Sequence, residues 1–201
     1  MSKIVSLSSL SRSKYDKLKK KFSCTNEDLH THIKQFAYNH QKEGLFQTYF
    51  FVDDKENYLA YISVAIATIE NTDVQDKIDI PQSIKYSIPS LKVTRLCVFD
   101  GNHRRGIGQI LMGFVNILAV IQQNKIGCRA IIVDSKDEAI KFYENMGFIE
   151  INKEESSNTT FMLIDILKPS ELKESNETIL GMKSFCEEYN LNELIGILDK
   201  L

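Results

Sequence analysis

Two arginines and two glycines, Arg104-Arg105-Gly106-Ile107-Gly108, stand where a strand-like run (Val93, Leu96, Val98, Phe99) gives way to a helical one. The turn formers Asp100-Gly101-Asn102 stop the strand, and Ile110, Leu111, Phe114, Val115, Leu118 and Ile121 follow at helical spacing over Gln109 to Gln123. A helix start offers backbone N–H groups without intrahelical partners and a partial positive charge, so it suits an anion. Glycines let a bulky phosphate approach the main chain, and the arginines add full charges and forked donors. The chemistry this implies is pyrophosphate binding. Read on its own, the segment is also a plain glycine turn with solvent-facing arginines. It contains neither G-x-G-x-x-G nor the Gly-Lys-Ser/Thr of a P-loop.

A second chemical candidate lies downstream. The run Ile126 to Val133 reads as a buried strand, and Asp134 to Phe148 as a short helix with Ala139, Ile140, Tyr143 and Met146 in register, stopped by Gly147. Taken alone, Tyr143 is an interfacial helix tyrosine. Taken with the glycine loop, the order strand, RRGIG, helix, strand, helix with FYENMGF resembles the GNAT superfamily of N-acetyltransferases over about Ser23 to Leu167. The acyl-CoA loop of that superfamily follows Gln/Arg-x-x-Gly-x-Gly/Ala; here His103 holds the first position, and Lys136 stands where many members have asparagine.

The resemblance implies an α/β fold: a central splayed mixed sheet flanked by helices, with a C-terminal helical extension added in this chain. It implies acetyl-CoA as donor, its pantetheine arm pairing with Leu96, Cys97 and Val98. An N–H near Val98 would polarise the thioester carbonyl, and the pyrophosphate would lie on Arg104, Arg105, Gly106, Ile107, Gly108 and Gln109. Tyr143 would return a proton to the departing thiolate as an amine attacks directly in a ternary complex. Many members supply a glutamate base from the central strand, whereas this strand has no acid before Asp100. An α-amine, titrating near 8 against about 10.4 for lysine, would reduce the need for one.

Phe22-Ser-Cys24, Thr48-Tyr49, Ile88-Pro-Ser-Leu91, Arg95-Leu-Cys-Val98 and Ile126-Gly-Cys-Arg129 look like the toxin branch of the superfamily. That branch acetylates the α-amine of aminoacyl-tRNA and pairs with a small DNA-binding antitoxin. Three functions therefore stand side by side: acetylation of a small-molecule or protein amine, a charged-tRNA-directed toxin with an antitoxin partner, and a non-catalytic acyl-CoA-binding regulatory module.

Composition narrows the surroundings. At 201 residues, 43% hydrophobic and net charge −2, the chain suits one compact domain, or one domain with a terminal appendage, and not a general nucleic-acid coat. No secretory signal or membrane-length apolar run is read, so a cytoplasmic protein without a membrane partner is expected. Cys24, Cys97, Cys128 and Cys186 form no CxxC, and His30 and His32 point apart on a helix, so no metal is expected.

The expected organisation is residues 1–22 as an N-terminal segment, 23–167 as the acetyltransferase domain and 168–201 as a helical extension. The first segment reads as a strand at Ile4 to Leu7 and a basic run, Arg12, Lys14, Lys17, Lys19, Lys20 and Lys21 with only Asp16 against it. Such a run is either a solvated face or a phosphate-backbone contact. A helix capped around Thr25 should bury Leu29, Ile33, Phe36, Ala37 and His40 up to Gly44. Thr48 to Val52 and Tyr58 to Ile69 should form a hairpin, the second strand covered on both faces.

Residues 70 to 89 read as an irregular excursion beside the cleft. Phe148 to Ile151 and Thr160 to Leu167 form a closing hairpin, and Pro169 marks the boundary. Two helices follow, Glu177 to Tyr189 and Leu191 to Leu201, with four lysines against seven acids in the extension. Their apolar stripe (Ile179, Met182, Phe185, Leu194, Ile197, Leu198) must bury against the core, a second copy in a homodimer, or another partner.

Overall fold

The computed structural model describes residues 2–81, 83, 85–154, 158–166 and 176–199. In chain order these comprise β1 (Lys3–Ser6), α1 (Arg12–Leu18), α2 (Glu27–Thr31), a π turn (His32–Phe36), α3 (Ala37–Lys42), β2 (Gln47–Val52), β3 (Tyr58–Ile69) and α4 (Asn71–Val74). They continue with β4 (Ile88–Val98), α5 (Ile107–Lys125), β5 (Ala130–Lys136), α6 (Ile140–Glu144), β6 (Ile149–Glu154), β7 (Thr159–Asp165), α7 (Asn176–Glu188) and α8 (Asn192–Leu198). The strands make one mixed sheet in the order β1-β2-β3-β4-β5-β7-β6. β4 runs parallel to β5, and the pairs β1–β2, β2–β3, β5–β7 and β6–β7 are antiparallel. Two compact units emerge: Met1–Ala65 with Thr94–Val115 and Ser175–Leu201, and Ile66–Val93 with Asn116–Glu174.

The first unit is built on an aromatic core. Leu7, Tyr15, Phe22, Ile33, Phe50, Tyr61, Cys97 and Phe99 are buried together, and Phe22 stacks on Phe99 with ring centroids 4.8 Å apart. The hairpin β2–β3 forms where the two apolar runs and their polar connection predict it, closed by Asp53, whose Oδ1 accepts from the backbone N–H of Lys55 at 2.9 Å and of Asn57 at 2.8 Å. Those hydrogen bonds hold the Asp53 carboxyl below the usual range, the Asn57 side chain contributing most.

Two expectations change here. Asn26, not Thr25, caps α2, its Oδ1 accepting from Leu29 N at 3.2 Å. The π turn inserts a residue into the helical repeat, so Ile33 and Ala37 face the core while Phe36 stands 45% exposed. His32 is carried inward instead. It lies 4% exposed beside Tyr61, Phe46 and His40, with ring centroids 6.2, 6.0 and 5.9 Å away.

The C-terminal helices find their cover inside the same unit. Phe185 of α7 lies against Gly113 of α5, where an added Cβ would come within 3.3 Å of its ring. Tyr189 packs on Phe51, and its carbonyl accepts from Ile4 N at 3.2 Å. Met182, Cys186, Tyr189 and Leu198 are buried, whereas Leu194 and Ile197 are half-buried. The expected boundary at Pro169, the element ends at Leu167 and Leu201 and the side chain of Ile179 lie outside the described residues. By length and composition α5 could cross a membrane, but half of it is buried in the protein, with Leu111, Phe114, Val115 and Ala119 in the core.

In the second unit, Ile69, Val74, Ile78, Ile88, Ala130, Ile132 and Leu163 pack together. The 70–89 excursion is therefore partly ordered, since α4 and Ile78 contribute core side chains. Arg129 fastens it: its guanidinium grips both Asp165 oxygens at 2.6 and 2.7 Å and donates to the Asp79 carbonyl at 3.0 Å.

Boundaries move as well. β5 runs from Ala130 to Lys136, because Ile126 is 72% exposed and Gly127 takes φ +92°. The helix expected from Asp134 shrinks to a 3₁₀ turn (Asp137–Ala139) and α6, still stopped by Gly147 at φ +89°. Only Tyr143 of its four in-register residues is buried. β3 is covered on both faces only in its first part, as Ile66 is 66% exposed.

Burial lowers the His32 pKa from 6.5 to about 4, desolvation being the main cause, with the Arg95 and His40 charges adding to it. The folded state thus holds His32 neutral, while the unfolded chain binds a proton below pH 6.5. Stability is fully present above that value and declines as pH falls towards 4, by a few kcal/mol. Thermal melts between pH 7.5 and 4.5 should show this decline, and His32→Leu should flatten it.

Candidate active site

The parallel ladder between β4 and β5 runs from Ser90–Ala130 to Val93–Val133 and ends there, while β4 continues through Val98. Along that continuation side chains alternate: Cys97 and Phe99 are buried in the aromatic core, and Leu96 and Val98 are only half-buried. The end of the strand is pinned by three bonds within the first unit. Thr94 Oγ1 donates to Ser63 O at 3.1 Å, Phe99 N to Leu59 O at 2.8 Å and Asp100 N to Ser23 O at 3.0 Å.

The glycine loop follows. Gly101 and Gly106 take φ of +80° and +76°, and Arg104 adopts φ +61°, so the chain makes successive left-handed turns before α5. A Cβ on Gly106 would meet only Gln109 Oε1, at 3.8 Å. Conformation, then, is what reserves this position for glycine. The helix starting at Ile107 is 19 residues long and has no acid in its first turn, leaving its dipole end uncompensated. Arg104 and Arg105 are exposed, and Arg105 donates to Asn102 Oδ1 at 2.9 Å.

Asp100 is the nearest acid in sequence, and it is already engaged. Its Oδ1 accepts from Thr25 N at 3.1 Å and Thr25 Oγ1 at 3.0 Å, with His103 Nε2 at 3.7 Å. The Thr25 bonds keep its carboxyl below the ordinary value. The loop thus presents two exposed arginines and a helix start, groups that can attract an anion.

Tyr143 belongs to the second unit, as the buried residue of α6. Its ring packs edge-on against Phe142 and Phe148, with centroids 5.1 and 5.3 Å away, and its carbonyl accepts from Phe148 N at 3.1 Å. Burial pushes its phenol pKa up, so the hydroxyl carries its proton at neutral pH. A protonated phenol can donate to a developing thiolate.

The model of the acetyltransferase (GNAT) domain family matches residues 23–163. The chain belongs to that family. It is an acyltransferase, and acetyl-CoA is its donor. No curated protein matches it. Among solved structures, one described as a bacterial toxin superposes with TM-score 0.72 at 16% identity, covering 83% of this chain and 92% of that one. The AtaT toxin complexed with acetyl-methionyl-tRNAfMet gives 0.66 at 18%, covering 86% and 98%. A tyrosine-to-phenylalanine AtaT mutant bound to the C-terminus of the antitoxin AtaR and acetyl-CoA gives 0.62 at 18%, covering 81% and 93%. At these identities the likeness is one of fold.

No local sequence pattern marks the anchors behind the loop. Thr25 and Asp100 are 75 positions apart, and each reads locally as an ordinary cap or turn residue. A Gly106→Val substitution should cost about 1–2 kcal/mol through its left-handed backbone. It should also weaken acetyl-CoA binding in calorimetry, whereas Lys125→Val at the far end of α5 should leave binding unchanged.

Proposed function

We propose that this acetyltransferase moves the acetyl group of acetyl-CoA onto the α-amine of an aminoacyl-tRNA, by direct attack and with Tyr143 as the general acid. The observation that carries the choice of acceptor is β4 itself, whose residues Ile88–Val98 include Lys92 and Arg95 but no acid. A strand without a carboxylate suits an amine that is substantially neutral near pH 8, as an α-amine is. Arg95 is exposed on this strand and would disfavour a cationic acceptor such as lysine.

The basic run adds support. It folds as α1 and a 3₁₀ turn in which Asp16 is shared by Arg12 and Lys19, while Lys14, Lys17, Lys20 and Lys21 are exposed. Four exposed lysines on one short segment suit a phosphate backbone. The AtaT complex with an acetylated initiator tRNA belongs to a protein of the same fold.

In this reading the main chain at Leu96, Cys97 and Val98 pairs with the pantetheine arm, and the Val98 N–H polarises the thioester carbonyl. The amides from Gly106 to Gln109, with Arg104 and Arg105, hold the pyrophosphate. The amine attacks the carbonyl carbon, and the Tyr143 hydroxyl gives its proton to the coenzyme A sulfur as it leaves. A separate antitoxin, as AtaR is for AtaT, would be the partner that restrains such an activity. Residues 23–167 would form the catalytic domain, with 1–22 and 168–201 as its extensions.

The test is transfer of labelled acetyl from acetyl-CoA to total charged tRNA, beside the same tRNA after deacylation. Label should appear only in the charged pool. Tyr143→Phe should lower the rate by about 10²–10⁴-fold while acetyl-CoA affinity stays constant. Label that ignores aminoacylation, or donor binding with no transfer to tRNA, would assign the enzyme to another amine.

A further inference from the structure

Cys97 plays no chemical part through its side chain in the transfer proposed above, yet its thiol is not solitary. Its Sγ donates to the Sγ of Cys24 at 2.9 Å, although 73 positions separate them. That is only about 0.9 Å longer than a disulfide bond. Both are free thiols, Cys97 buried and Cys24 partly exposed.

The surrounding backbone holds them in this relation. Phe22 stacks on Phe99, Ser23 O accepts from Asp100 N at 3.0 Å, and Thr25 N and Oγ1 both donate to Asp100 Oδ1. The segment from Phe22 to Thr25 is thus fastened along Cys97 to Asp100 on both sides of Cys24. Closing the remaining gap takes an approach of the two sulfurs by about 0.9 Å.

We propose that Cys24 and Cys97 form a thiol-pair modification site, which a hydroperoxide converts reversibly into an intramolecular disulfide. The partly exposed Cys24 meets the oxidant first. Its thiolate attacks one peroxide oxygen, the O–O bond breaks, and the departing hydroxide takes up the thiol proton as water, leaving Cys24 as a sulfenic acid. The Cys97 sulfur then attacks the sulfenic sulfur. The S–O bond breaks, and hydroxide leaves with the Cys97 proton as a second water. Two thiols lose two electrons to one peroxide, so the step balances.

Burial keeps the Cys97 thiol from the oxidant and, with the contact to Cys24, pushes its pKa up, so the partly exposed Cys24 is the first target and Cys97, in contact with it, is the thiol placed to resolve it. Cys128 and Cys186 provide internal controls. Cys128 is buried with its Sγ directed to Ala130 O at 3.6 Å, and Cys186 is fully buried in α7.

The consequence concerns the strand that carries Leu96 and Val98. A disulfide would tie it covalently to the start of α2, across a closed loop long enough to restrict the unfolded chain strongly.

The experiment treats the reduced full-length protein with hydrogen peroxide, removes the excess with catalase, and alkylates it with N-ethylmaleimide in denaturant. Intact mass should show two added maleimides, against four in the untreated protein, and peptide mapping should recover a Cys24–Cys97 link. Dithiothreitol should restore four. After peroxide, Cys24→Ser should take up three maleimides with no link formed, whereas Cys97→Ala should take up two and carry added oxygen on Cys24, because no thiol resolves its sulfenic acid. Tm of the oxidised wild type should rise by several degrees.

Four maleimides on the wild type after peroxide would overturn the proposal. So would oxygen addition to its Cys24 without a link, a link to Cys128, Cys186 or a second chain, or an oxidised form that melts lower. None of these readouts depends on the acceptor, so failure of the tRNA reading and failure of this one are separable.

Discussion

Beyond Val93, β4 has lost its partner on the β5 side, and the contacts on its other side have to hold it straight. Its parallel ladder with β5 stops at Val93, and five more residues continue to Val98. Extended backbone without a ladder on one side is costly unless other contacts fix it. Here the contacts come from buried side chains and from main-chain and side-chain hydrogen bonds. Cys97 and Phe99 are driven into the aromatic core, and Thr94, Phe99 and Asp100 each make a bond to Ser63, Leu59 or Ser23. Hydrophobic burial on one face thereby leaves the Leu96 and Val98 positions extended, which is the form a strand-like cofactor arm requires.

The glycine loop depends on the same anchoring. Its left-handed residues bring the chain from the end of β4 to the start of α5, and the Thr25–Asp100 bonds secure the point where the turn begins. Without that tie, Asp100 would be a loose carboxylate beside a proposed anion site, where it would oppose binding. Drawn towards Thr25 and His103, it instead closes the loop onto the helix that starts at Glu27. The basic α1 and the π turn belong to the same unit, so the local chemistry of charge, aromatic stacking and buried imidazole is concentrated around one core.

The second unit solves a different problem. Its long excursion between β3 and β4 would be a source of disorder if it carried no apolar side chains of its own. Val74 and Ile78 supply them, and the Arg129–Asp165 fork with the Asp79 carbonyl fastens the far end. Tyr143 lies in the same unit, its ring edge-on to Phe142 and Phe148 and its proton retained by burial.

Periodicity and turn chemistry were enough to place most of these elements. Apolar runs marked β2 and β3, the helical repeat marked α5, and the order of strand, Arg104–Gly108 loop, helix, strand and the helix carrying Tyr143 indicated the family. Those features are local, because a few neighbouring residues determine the backbone form and the charge at a helix start. What only the tertiary structure decided was long-range. The π turn that exposes Phe36 and buries His32, the cover that α7 finds on Gly113, and the meetings of Thr25 with Asp100 and Cys24 with Cys97 all join positions with no common sequence pattern. Such pairings follow from how cores pack and strands end, and those are properties of the folded chain as a whole.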